Sequence, residues 1–224
     1  DALRMHSEPG QTLVIEKVTL GLPIEDGVLR FQMDGFDKVR LEDARWPFVG
    51  GMIRLEPAVF NFGPEENLVI ANAVNWDLAE IVELFKVPDT RIQGIVNGSC
   101  PVVFSTGSAR IEDAVLEASD DGGVIQYEAE TTDAASQSNE NAKLLFDALK
   151  DFRYRVLKIG LDGDVAGTML LTLNLEGMNP EVLAGAPFKL NIGIESELAE
   201  LLNTLNRPRA EIDAVVRGGR QEGN

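Results

Sequence analysis

One histidine, His6, and one cysteine, Cys100, are all the chain offers of the two side chains that most often serve as bases, nucleophiles or zinc ligands. A zinc centre draws chiefly on such groups, so carboxylates would have to supply most of the ligation. A Ser-His-acid triad would have to be built on His6, and no G-x-S-x-G turn exists to present a serine to it. The glycine patterns that cradle phosphates, G-x-G-x-x-G after a strand and G-x-x-x-x-G-K-[ST], do not occur. Carboxylates are abundant, 37 Asp and Glu in all, so pairs of them arise from composition alone. The chain reads as a non-enzyme, with no catalytic, cofactor-binding or metal-ligating residue.

The same acids decide which partners are excluded. The formal net charge is -17, and protein–nucleic acid affinity comes largely from basic groups displacing counterions from phosphates. Nucleic acid is therefore excluded as a partner, and so is adhesion to an anionic membrane surface. The 224 residues, 44% of them hydrophobic, suffice to bury a core, and the acids read as a solvated shell around it. No run approaches the roughly 18 apolar residues of a membrane-spanning helix. With Asp1 first and no apolar leader, the chain reads as a segment of a longer protein whose membrane anchor lies outside it.

What must position any site is a set of strands. Apolar residues recur with period two, which puts them on one face of a strand. Leu29, Phe31 and Met33 alternate with Arg30, Gln32 and Asp34, between the turn dipeptides Asp26-Gly27 and Asp34-Gly35. Ile53 and Leu55 follow Gly50-Gly51, and Ile125 and Tyr127 follow Gly122-Gly123; Arg91 to Phe104 reads as a strand or a bent pair. The longest pattern predicts a hairpin from Leu157 to Leu175, turning at Asp162-Gly163 or Ala166-Gly167. Leu157, Ile159, Leu161, Val165, Met169, Leu171, Leu173 and Leu175 share one parity. Phe188, Leu190, Ile192 and Ile194 continue the oily face on a further strand. Antiparallel strands of this kind make a sheet with one wet and one dry side.

Helical spacing appears at Leu78, Ile81, Val82 and Phe85, at Leu144, Leu145, Ala148, Leu149 and Phe152, and at Leu198, Leu201, Leu202 and Leu205. A fourth helix is read from Pro208 to Val216, and a loop from Thr131 to Asn141. The fold expected is mostly β with a few helices: an elongated, curved antiparallel sheet with an apolar concave face, capped or covered by helices. Residues 1–19 form an N-terminal strand or edge, 20–206 a single β-rich domain, and 207–224 a helical or frayed tail. Similar strings, Asp77–Ile81 with Glu197–Leu201 and Gly50–Arg54 with Gly122–Gln126, are read either as two repeated strand-strand-helix halves, 20–87 and 88–206, or as the ordinary recurrence of helix starts and glycine turns.

Ile111-Glu112-Asp113-Ala114-Val115-Leu116-Glu117-Ala118, then Gly122-Gly123-Val124-Ile125-Gln126-Tyr127, resembles the C-terminal region of YdbH-like proteins of the AsmA superfamily, to which TamB is related. So does Ala148 to Leu157 with its long hairpin closing on Glu176-Gly177-Met178-Asn179-Pro180. The resemblance covers most of the stretch from Leu20 to Leu205. It implies a Gram-negative envelope protein in the periplasm, anchored in full length in the inner membrane, whose oily groove carries phospholipid towards the outer membrane. It also implies a partner, a small outer-membrane lipoprotein of the YnbE type. The candidate groove residues are Leu157, Ile159, Leu161, Met169, Leu171, Leu173, Leu175, Phe188, Leu190 and Ile192. Their alternation fits a sealed core equally well. Two other functions remain open. One is an assembly domain that docks a partner by strand addition. The other is a dicarboxylate-binding module, after an older family label, drawing on Lys17, Lys38, Arg45, Arg54, Arg91, Arg153 and Arg155.

Overall fold

The computed structural model of the chain describes residue 8 and residues 10–20, 22–128 and 140–197. Thirteen strands in this range join in one antiparallel sheet. They are β1 (Gln11–Leu20), β2 (Leu22–Met33), β3 (Lys38–Phe48), β4 (Gly51–Leu55), β5 (Ala58–Asn61), β6 (Asn67–Asp77), β7 (Thr90–Gln93), β8 (Ile95–Ser105), β9 (Ser108–Ala118), β10 (Gly123–Tyr127), β11 (Phe152–Asp164), β12 (Thr168–Met178) and β13 (Phe188–Glu197). The long path across the sheet is β1-β2-β3-β4-β6-β8-β9-β11-β12-β13. β5 pairs with β3 alongside β4, and β10 and β7 extend the sheet from the first residues of β11. The sheet is open, mostly β in content, curved and not closed into a barrel.

Among the described residues two α-helices interrupt the strands where the period changes to 3.6. α1 (Leu78–Leu84) starts where the Asp77 carboxylate accepts the Ala79 N–H at 2.8 Å, satisfying one donor of the first turn. Leu78 N–H donates to the Gly94 carbonyl at 3.0 Å, which ties the helix to the β7–β8 junction. Asp77→Ala removes the cap and is expected to destabilise the fold by about 1 kcal/mol. A thermal melt would then fall by about 2–4 °C. α2 (Glu140–Leu149) ends on Asn179, whose side-chain amide donates to the carbonyls of Asp147 at 3.0 Å and Ala148 at 3.1 Å. Those carbonyls lack partners within the helix, so a buried asparagine from beyond β12 fixes its end.

Several expected boundaries move. Asp26-Gly27 is not a turn: both lie inside β2, and the β1–β2 reversal falls between Leu20 and Leu22. Gly27 is there for space, since a Cβ on it would meet the Trp46 ring nitrogen at 1.8 Å. The hairpin turns at Ala166-Gly167, with Val165 in the turn instead of on the face, while Gly163 stays in β11. Phe152 belongs to β11 and not to the helix before it, because its backbone pairs with Ile125 of β10. Arg91 to Phe104 is two strands parted at Gly94, whose φ of +142° suits glycine and which leaves room for the Tyr154 hydroxyl. The reading of Leu198 to Leu205 and of Pro208 to Val216 as helices lies outside the described residues. So does most of the Thr131 to Asn141 loop, whose last two residues sit in α2.

Candidate functional site

Cross-strand neighbours in an antiparallel pair point to the same face, so the register alone traces a surface. One row runs through Trp46, Ile53, Ala73, Gly98, Leu116, Ile159, Leu173 and Ile192, each directly opposite the next. Beyond Trp46 the indole lies over Gly27, which pairs with Ile15. The row therefore crosses all ten strands of the long path with no charged or hydrogen-bonding side chain except the indole. A second row beside it reads Leu13, Leu29, Ala44, Leu55, Ala71 and Cys100, then, past a bulge, Ala114, Leu161, Leu171 and Ile194. At about 4.8 Å between strands, nine intervals make an apolar strip roughly 43 Å long, perpendicular to the strands.

The ten residues singled out from the sequence all lie on this face, but not in one environment. Leu157 and Leu175, 2% and 1% exposed, belong to the dry core with Phe152, Val96 and Leu116, onto which Leu78 and Ile81 of α1 and Leu149 of α2 pack. Ile159, Leu173, Phe188, Leu190 and Ile192 are half-buried against that core. Leu161 and Leu171 are half-buried further along the strands, away from the helices, and Met169 is buried opposite Gly163. Among the described residues the helices cover one margin of the face, a core that takes in Ala73 and Leu116 of the first row, and leave Leu161 and Leu171 of the second row outside that cluster.

The opposite face is wet and charged. Lys158 pairs with Glu117, Arg54 with Asp43, and Glu176 with both Arg155 and Lys189. The hydrogen bond from Lys189, helped by Arg155, holds the Glu176 carboxyl below its ordinary range. Of the seven basic residues considered for dicarboxylates, Lys17, Arg54, Arg153 and Arg155 are engaged by Glu25, Asp43, Asp151 and Glu176 on separate stretches of sheet. Lys38, Arg45 and Arg91 stand on β3 and β7. The structure does not gather these seven at one place.

Polar groups near the dry face are few and mostly internal. Tyr154 donates to the Gln93 carbonyl at 2.7 Å, and burial pushes its pKa up to about 12. Trp76 donates to the Met52 carbonyl at 3.0 Å. The Trp46 ring N–H is buried over Gly27 without an acceptor among the described residues. Cys100 is half-buried on the strip, and desolvation raises its thiol to about 11. Among the described residues no three His, Cys, Asp or Glu side chains gather as a metal-holding group, and no helix is long and apolar enough to cross a membrane.

Sequence reasoning missed the floor of the strip on β6, β8 and β9. Ala71, Ala73, Gly98, Cys100 and Ala114 are too small to register as an apolar alternation, and bulges at Ala73/Trp76 and Ser99/Val102 break the parity. No curated protein and no solved structure matches the chain. Residues 1–208 match the family model YdbH-like, described as intermembrane phospholipid transport protein YdbH.

Proposed function

Because the chain belongs to the YdbH-like family of intermembrane phospholipid transport proteins, we propose that its apolar strip carries phospholipid acyl chains across the space between the inner and outer membranes of a cell envelope. The observation that carries the reading is the unbroken row from Ile15 to Ile192, which crosses ten strands without a charged side chain. Moving methylenes from water onto such a surface gains about 0.8 kcal/mol each, so a long chain gains on the order of 10 kcal/mol. The attraction has no preferred register, so a tail held this way slides from row to row while its headgroup stays in water. The charged outer face keeps the sheet dissolved between the membranes.

Native mass spectrometry of protein offered phosphatidylethanolamine or phosphatidylglycerol tests this, with Cys100 as the local reporter. A thiol with its pKa near 11 reacts slowly at pH 8 and lies on the floor of the strip. Bound lipid is expected to appear as a discrete added mass and to slow Cys100 alkylation several-fold more. Protein that takes up no lipid, or that takes it up with Cys100 alkylated at the same rate, contradicts the assignment to this face.

A second reading rests on the sheet's edge. Among the described residues β13 pairs on one side only, with β12, and its ten residues contain no proline and a single lysine, Lys189, near the start. Such an edge accepts an added strand, which suits docking of a small outer-membrane lipoprotein whether or not lipid moves along the strip.

A further inference from the structure

The sheet rim at the β2–β3 turn and the β5–β6 loop carries the most exposed aromatic side chains among the described residues, Phe36 at 68% and Phe62 at 61%. Both sit at tips where the chain reverses, and Phe62 N–H donates to the Asp37 carbonyl at 2.8 Å, so the two tips are joined. The loop has a fixed shape. Asn67, 5% exposed, accepts the Asn61 N–H at 2.7 Å and donates to the carbonyls of Asn61 at 2.9 Å and Glu65 at 3.3 Å. The rings also connect inward. Phe62 packs edge-on against Phe60 at 5.5 Å, and Phe60 against Phe104 at 6.1 Å. Phe104 stands two residues beyond Val102, on the face of the strip.

Ring contacts therefore run from Phe104 through Phe60 to Phe62 at the rim, and Phe36 stands in water on the tip joined to it. Solvating two phenylalanines on rigid neighbouring tips gains nothing for the fold of this chain, and aromatic rings at such tips fit the interfacial region of a bilayer. The surrounding charge narrows the membrane. Asp34, Asp37, Glu65 and Glu66 stand on these two segments against Lys38 and Arg40, so anionic headgroups are repelled and neutral ones are not. The geometry points to this rim as a docking surface for a phospholipid bilayer of net-neutral headgroups, with Phe36 and Phe62 inserted among the lipids and the Phe60–Phe104 pair leading tails to the strip. The inference rests on the lipid-carrying reading above and adds to it where the protein touches a membrane.

Flotation with vesicles of phosphatidylcholine and phosphatidylethanolamine tests it. Wild-type protein is expected to float. Phe36→Ser with Phe62→Ser should lower the vesicle-bound fraction at least 10-fold and the melting temperature by no more than about 4 °C, since both rings are mostly in water and only the Phe60–Phe62 edge contact is lost. Phe36→Ser alone should give an intermediate loss. Adding phosphatidylglycerol should weaken binding at low salt, and added salt should restore it. Leu171→Asp, which disables the strip and leaves the rim intact, should float like wild type. Wild type that stays unbound, or a double variant that floats equally well, overturns the proposal. A phenylalanine-dependent dimer without flotation overturns it in favour of a second copy of the chain. Loss of flotation in Leu171→Asp alone would move the vesicle contact to the strip and overturn the rim, whereas flotation without lipid uptake would count against transport alone.

Discussion

Leu171→Asp is expected to abolish phospholipid binding while leaving the melting temperature within about 2 °C of wild type. Leu171 is half-buried midway along β12, opposite Leu161 on β11 and Ile194 on β13. It stands away from the helix-covered core, so an aspartate here can be hydrated in the lipid-free protein. A tail crossing that point would have to strip the water from an ionised carboxylate, a cost of several kcal/mol even after relaxation. It would also lose the roughly 1.5–3 kcal/mol that a fully covered leucine contributes. Together these lower affinity more than 100-fold. Asn174→Asp is the matching control: it adds the same charge three residues away, on the wet face opposite Lys158, and should bind lipid as wild type does. Equal loss in both variants would mean that net charge, not the strip, governs binding. No loss in either would remove the apolar face from the function.

The contrast between these two positions was legible in the sequence, because the parity of β12 and β13 is strict and carried by large side chains. Alternation also indicated a one-sided sheet, though not that it is open, and helical spacing placed α1, whose leucine and isoleucine spacing and Asp77 cap agree with each other. It gave less where one residue has two tasks. Asp26-Gly27 has the chemistry of a turn, yet the glycine serves the approach of Trp46, a contact from the neighbouring strand that no local pattern records. Phe152 continues the helical spacing of Leu145, Ala148 and Leu149, but Ile125 and Phe188 claim it for the sheet. The strip itself is a property of register. Ala73, Gly98 and Leu116 become neighbours only once β6, β8 and β9 pair, and the register shifts at Ala73/Trp76 and Ser99/Val102 decide which residues share the row. Charge was the most transparent feature, since acids and bases spread on the wet face pair where they meet.

Phe152→Ala carries the largest expected cost to stability and tests whether the helix-covered margin is a true core. The side chain is fully buried where β10 leaves β11, its ring 5.3 Å edge-on from Phe188 and its backbone opposite Ile125. Tyr154, Leu157 and Leu175 complete the same cluster. Truncating a phenylalanine in such a site removes its transfer free energy and leaves a cavity, together about 3–5 kcal/mol. Domains are stable by only about 5–15 kcal/mol, so the melting temperature should drop on the order of 10 °C. The loss should be felt first where the sheet branches to β10 and β7 and where α2 docks. Lipid binding by the fraction that stays folded should be nearly normal, because Leu161 and Leu171 lie outside this cluster and keep their places. A small drop would mean that the helices lie loosely over this margin and that the dry face is open along its whole width. A large drop with binding preserved separates the two uses of one apolar face: a sealed margin that holds the sheet together, and beside it a strip left free for cargo.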